Sequence, residues 1–317
     1  MLDVVTLGES LIRLVPPDHR RLESASLLES IVGGAESNTA IGLARMGKQV
    51  AWVSRLPDTP LGKRVANDIG AQGVDVGHVS WAAGERLGLY YAERGSSPRP
   101  MRIWYDRAGS AASRMTPDDL PQELIATARW LHLTGITPAL SPSCAETVAA
   151  AITLAHTHKL HVSFDVNYRA LLWSPEAAAK VLDPLCGAAD VVIIAARDAQ
   201  TLFGTGEDAE HAVRTLSARW GGTIVLTRSG EGAIGLAGSD LAACPAFEAQ
   251  VINRIGVGDA FDAGLICRLL EAAPLGEAIR FGAALAALKL TIVEDFVQVS
   301  RVEVEHLLAH GASSLHR

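Results

Sequence analysis

The stretch NRIGVGDAFDAG, Asn253 to Gly264, decides how the rest of the chain is read. It sets Gly256-Val257-Gly258 before an acid, Asp259, and runs on into the apolar segment LICRLLEA. The periodicity predicts a helix opening at the glycines. A helix start leaves its first amides without intrahelical acceptors, and the peptide dipoles add positive potential there. Glycines also let the backbone approach a phosphate closely. Two readings follow. One is an ordinary turn in which Asp259 complements the dipole. The other is a phosphate cradle, with Asp259 as a base that takes a proton from an attacking hydroxyl.

Outward from this segment, short apolar runs alternate with amphipathic ones. DVVTLGE, QVAWVSRL, WLHLTG, HVSFDVN, DVVIIA and GTIVLTR read as strands, and SNTAIGLARMG, LGKRVANDIGAQG, AETVAAAITLAHTHK and SPEAAAKVLDPL as helices. Near-continuous apolar strands separated by helices predict an α/β fold with a mostly parallel sheet covered on both faces. Ligands of such sheets sit outside the carboxyl ends of the strands. One region breaks the rhythm. Arg86 to Ser113 holds two alternating aromatic runs around a Gly/Ser/Pro turn, which predicts a β-hairpin flap. It gathers Tyr90, Tyr91, Tyr105, Arg102 and Arg107.

The chain has 317 residues, enough for one large α/β domain. With 49% hydrophobic and 20% charged residues, a large buried core is expected and disorder is not. A net charge of −7 without a basic footprint excludes nucleic acid as the expected partner, although a few local arginines suffice for a small anion. Cys144, Cys186, Cys244 and Cys267 lack metal-ligand spacing and suit a reduced, cytoplasmic chain. The N-terminus does not read as a signal peptide, and no window is apolar enough to span a bilayer. His156, His158 and His161 fall at a helix end and read as solvated. There is no Walker A loop. GEGAIG, Gly230 to Gly235, has dinucleotide-fingerprint spacing but continues into a second strand-like run, so no helix offers amides to a pyrophosphate. It reads as strand–turn–strand.

A second window, VGGAESNTAIGLARMG, places Gly33-Gly34 and Asn38 at another helix start. Together with GVGDAF it resembles the two signatures of the ribokinase-like (PfkB) sugar kinases. Within them, VGGAESN, HLTGITPALSP and SFDVNYRALLWSP resemble the 2-keto-3-deoxygluconate kinases, and the similarity covers nearly the whole chain. The resemblance implies a single ribokinase-like domain over residues 1–317 with a β lid. The lid would span about residues 86–113, with a contribution from about 10–32, and could pair subunits in a homo-oligomer. It further implies ATP-dependent phosphorylation of the terminal hydroxyl of a sugar acid, 2-keto-3-deoxygluconate first, with Mg²⁺ not ligated directly by the protein.

By the same resemblance Asp259 would be the base, and the amides of Gly256, Val257 and Gly258 an anion hole. Gly34, Asn38, Tyr90, Tyr105, Arg107, Arg169 and Asp295 would contact substrate. Asn167, Asp198, Thr227, Arg228, Gly230 and Gly232 would face the nucleotide. The residue chemistry agrees: arginine suits a carboxylate, and tyrosine offers a hydroxyl and an apolar ring to a sugar.

Departures from the family pattern gather on the nucleotide side. Asn253 replaces an aspartate, Val257 a small residue and Ser229 a glycine, while Ala195 and Asp198 replace an Asn-x-x-Glu element. Val257, being β-branched, is expected to crowd a phosphate and resist positive φ. Three functions fit: a sugar-acid kinase with an altered nucleotide site, a sugar-acid binder without turnover, and a kinase for a neutral sugar. Asp259 favours a kinase, and Arg107 with Arg169 favours an acid.

Overall fold

Eight strands form the main sheet of the computed structural model, which describes residues 2–95 and 98–311. Val50–Val53, Leu2–Leu7, Ala128–Thr134, His161–Asp165, Val191–Ala195 and Thr223–Thr227 lie parallel in that order. Ala233–Ala237 and Asp240–Cys244 continue the sheet antiparallel, with Thr227 opposite Ala233 and Ala237 opposite Asp240. GEGAIG is therefore the turn and second strand predicted for it.

The strands are mostly apolar because both faces are covered. Val191 and Ile193 enter one core, and Val192 and Ile194 the other, as a period of two requires. Helices Ala35–Arg45, Pro60–Gly70, Val257–Leu270, Leu275–Leu290 and Arg301–His310 cover the first face, through residues such as Ile41, Val65, Leu265, Ile279 and Val304. Pro142–Thr157, Pro175–Gly187 and Ala209–Trp220 cover the second through Val148, Leu182 and Val213. Helix Val257–Leu270 meets Leu275–Leu290 backbone to backbone: a Cβ on Gly264 would come 2.7 Å from the Cα of Gly282.

A smaller sheet runs Glu29–Gly33, Leu11–Val15, Leu89–Glu93, Arg102–Asp106. Its last two strands pair antiparallel, with Tyr90 opposite Tyr105. They are the runs predicted as a hairpin, although residues 96–97 of the intervening turn lie outside the described residues. One face gathers Leu11, Tyr90, Ala92, Ile103 and Tyr105, while Trp104 on the other is exposed. His156 lies in the last turn of its helix, but His161 opens the next strand, its ring 5.2 Å from that of Trp130, rather than ending the helix. Among the described residues no helix is long and apolar enough to cross a membrane.

Candidate active site

Two helix starts converge where the carboxyl ends of the parallel strands open. At the first, Gly33-Gly34 bends the chain against its neighbours. A Cβ on Gly34 would lie 2.2 Å from the carbonyl oxygen of Glu9, and one on Gly33 would lie 2.9 Å from an Asp295 oxygen. The turn brings Asn38 over the second start, where its Nδ2 donates to Asp259 Oδ2 at 2.7 Å. At the second start Gly256 has φ of +80°, and a Cβ there would fall 1.6 Å from the Asp295 carbonyl oxygen. Glycine is required on both counts. The helix begins at Val257 with no side-chain cap, so the amides of its first turn are left for a ligand. Positive φ thus falls on Gly256, and Val257 has an ordinary helical backbone.

Two cavities of about 550 Å³ each flank this mouth, and Thr227, Arg254 and Gly258 line both. The first also holds Gly34, Asn38, Tyr90, Tyr105, Arg107, Asn167, Arg169, Asp198, Gly256, Asp259 and Asp295, which the sequence had singled out separately. The second takes in Gly230, Gly232 and an apolar floor that includes Phe247, Val251, Phe261 and Leu290. Val257 lines the second cavity and not the first, so its bulk borders the apolar floor. Gly232 is fixed by geometry, since its φ is +90° and a Cβ would meet the Cys244 carbonyl oxygen at 2.0 Å. Ser229 sits at φ +52° and carries the strain that a glycine there would avoid. Arg228 lines neither cavity. Its guanidinium turns back onto Glu231, donating to the carbonyl oxygen at 3.1 Å.

The first cavity is rich in acids held out of water. Burial pushes Asp259 up to about 7, against the lowering effects of the Asn38 hydrogen bond and the Arg169 charge. Asp165 is likewise pushed up to about 7 by burial, and its neighbour Asp262 is raised well above the usual carboxylate range by the same cause. The charges of Asp165 and Asp259 push Asp262 further in the same direction. Asp198, in the first turn of helix Ala196–Phe203, accepts from its neighbour Arg197 Nε at 3.2 Å and is also raised by burial.

The arginines divide by partner. Arg107 lines the first cavity but is paired with Glu9: its Nε donates to Glu9 at 2.8 Å, its Nη2 binds the same oxygen, and the Ser110 hydroxyl donates to the other Glu9 oxygen at 2.7 Å. Arg169 makes no ion pair among the described residues and hydrogen-bonds only the Tyr168 carbonyl oxygen, at 3.3 Å. Asp295 is fully buried and held from three sides: by Arg13 at 2.7 and 3.1 Å, by the Tyr90 hydroxyl at 2.9 Å and by Asn253 Nδ2 at 3.2 Å. The same Asn253 amide reaches the carbonyl oxygens of Val293 and Glu294, and the buried Lys289 ammonium that of Ile292. The loop behind Gly256 is therefore tied down by the chain's own donors.

Sequence reading passed over Glu9, Arg13, Asp165, Asp262 and Arg254. Of these only Asp262 left a usable sign, its i+3 spacing from Asp259 on one helix.

Residues 1–294 match the family described as pfkB family carbohydrate kinase. A 2-dehydro-3-deoxygalactonokinase of Haloferax volcanii is 38% identical over 99% of each chain. A 2-dehydro-3-deoxygluconokinase of Bacillus subtilis is 30% identical over 93% of this chain and 91% of its own. The crystal structure of 2-dehydro-3-deoxygluconokinase from Thermotoga maritima superposes with a TM-score of 0.91 at 33% identity, covering 97% of this chain and 98% of that one. The chain belongs to the pfkB family of carbohydrate kinases, and its fold is ribokinase-like.

Proposed function

We propose that this kinase transfers the γ-phosphoryl group of ATP to the terminal hydroxyl of a 2-keto-3-deoxy sugar acid of the gluconate or galactonate series. One observation carries the reading: the Asp259 carboxylate lies in the wall of the first cavity, one residue from Gly258, which belongs to both. The sugar acid occupies the first cavity and the nucleotide the second, so hydroxyl and phosphate meet at the helix mouth. The similarity to named sugar-acid kinases supports the substrate class.

In the step proposed, the sugar hydroxyl gives its proton to Asp259 while its oxygen bonds to the γ-phosphorus. The bond from that phosphorus to the bridging oxygen breaks, and ADP leaves. First-turn amides offset charge on the group in transit. The smaller sheet acts as a lid that keeps water from the phosphoryl group. No group of three or more His, Cys, Asp or Glu among the described residues could hold a metal. A Mg²⁺ bound mainly through phosphate and water would be held by Asp198 and Asp165 through that water. When bound, Mg²⁺ neutralises phosphate charge.

An ADP-release assay across sugar acids and neutral sugars tests the reading. Acids alone are expected to turn over; release with neutral sugars at equal kcat/KM rejects the acid, and ADP from neither rejects the kinase. Arg169, which lines the first cavity only and makes no ion pair among the described residues, is assigned to the substrate carboxylate. Arg169→Ala is expected to raise KM for the sugar acid roughly 10- to 100-fold, as loss of a charged hydrogen bond costs about 1.5–3 kcal/mol. An unchanged KM returns the carboxylate to another residue.

Because Asp259 acts ionised, kcat/KM is expected to rise as pH rises through about 7. Asn38→Ala removes the hydrogen bond that favours the ionised form, so this rise is expected to move to higher pH. An unmoved profile separates Asn38 from the base.

A further inference from the structure

We propose that Arg254 is a catalytic residue whose guanidinium grips the phosphoryl group while it passes between the cavities; this rests on the phosphotransfer reading above. Arg254 lines both cavities, a property it shares with Thr227 and Gly258 alone among the described residues. It is therefore the charged side chain standing at the seam. Its guanidinium makes no hydrogen bond or ion pair within the described chain. The other arginines around the site are committed elsewhere or confined to one side. Arg13 holds Asp295, Arg107 holds Glu9, Arg197 holds Asp198, and Arg169 lines the first cavity only.

The backbone on either side of Arg254 is fixed although its side chain is not. Asn253 is locked by three acceptors through Nδ2, and its Oδ1 accepts from the Ile255 amide at 3.1 Å. Gly256 is wedged against the Asp295 carbonyl oxygen. With the main chain fixed, only the side chain's own rotamer freedom is lost when the guanidinium reaches an anion in front of it.

Charge balance gives it work. A nucleotide brings several negative charges to the edge of a cavity lined by Asp165, Asp198, Asp259 and Asp262, whose ionisation burial already opposes. First-turn amides carry only partial positive charge. A guanidinium presents a planar fork that matches two phosphate oxygens at once. Located at the seam, Arg254 touches the oxygens that shift from one cavity toward the other. It stabilises the group in transit more than either substrate alone.

Arg254→Ala and Arg254→Lys in the full chain test this. Arg254→Ala is expected to lower kcat roughly 100-fold or more, with KM for the sugar acid changed only a few-fold, and Arg254→Lys to restore part of kcat. Calorimetry with ADP alone, and with ADP, aluminium fluoride and sugar acid, gives an independent readout. The alanine variant is expected to lose roughly 100-fold in affinity for the fluoride complex and only a few-fold for ADP. Equal losses for both, or an unchanged kcat, overturn the assignment. Wild-type turnover tells the two failures apart. If wild type releases ADP and Arg254→Ala matches it, the Arg254 assignment alone falls. If wild type releases none, the phosphotransfer reading falls and takes the assignment with it.

Discussion

Replacing Asp259 by asparagine is expected to lower kcat by roughly 10²- to 10⁴-fold while sugar-acid affinity stays within a few-fold. Asparagine keeps the shape of the carboxylate and an oxygen to accept the 2.7 Å bond from Asn38, so the cavity wall is preserved. It has no basicity for the alcohol's proton. Stability separates lost chemistry from lost folding. Burial raises the carboxyl from 3.8 to about 7, so between those values the folded protein keeps a proton that the unfolded chain has released. Wild-type stability therefore falls as pH rises from about 4 to about 7 and stays lowered above that. The asparagine variant lacks this cost. In urea unfolding it is expected to be the more stable protein at pH 8 and to match wild type below pH 4. A variant with wild-type kcat removes Asp259 from the role.

Arg13→Met is expected to cost about 3–5 kcal/mol of stability, the usual penalty for removing one member of a buried ion pair. Arg13 and Asp295 are both fully buried and 282 residues apart in sequence. Their contact ties the smaller sheet to the loop behind Gly256. Without the guanidinium, Asp295 keeps the Tyr90 hydroxyl and the Asn253 amide, neither of which carries charge at neutral pH. Pairing Arg13→Met with Asp295→Leu is expected to restore much of the loss, because the stranded charge goes with its partner. Urea unfolding of the two variants measures both effects. A single-variant loss below about 1 kcal/mol would make the pair incidental to the fold.

Local pattern carried far into this structure. Apolar runs of strand length became the parallel strands because a doubly covered sheet demands such runs, and LAGSD correctly removed GEGAIG from consideration as a nucleotide fingerprint. Gly256 and Gly33-Gly34 were legible because few other features require a bare backbone. What stayed hidden was pairing at long range. Arg107 looked free until the fold set Glu9, 98 residues away, against it. Nothing near Arg13 announces Asp295, and nothing in NRIG shows that Arg254 stands between two cavities. Arg228 had the right neighbours, but a three-residue turn directs its side chain onto Glu231. The expected conflict of Val257 with positive φ does not arise, because Gly256, wedged against the carbonyl of Asp295, takes that conformation; the bulk of Val257 faces the second cavity.

Phosphorus NMR of the reaction with ATP, Mg²⁺ and the 2-keto-3-deoxy acids of both epimeric series tests the central claim most directly. The account predicts one new phosphomonoester, formed in equal amount to ADP and coupled to two protons of a terminal CH₂. Inorganic phosphate as the sole product, a phosphate on a ring or secondary carbon, or an unchanged ATP spectrum beside demonstrable sugar-acid binding would contradict it.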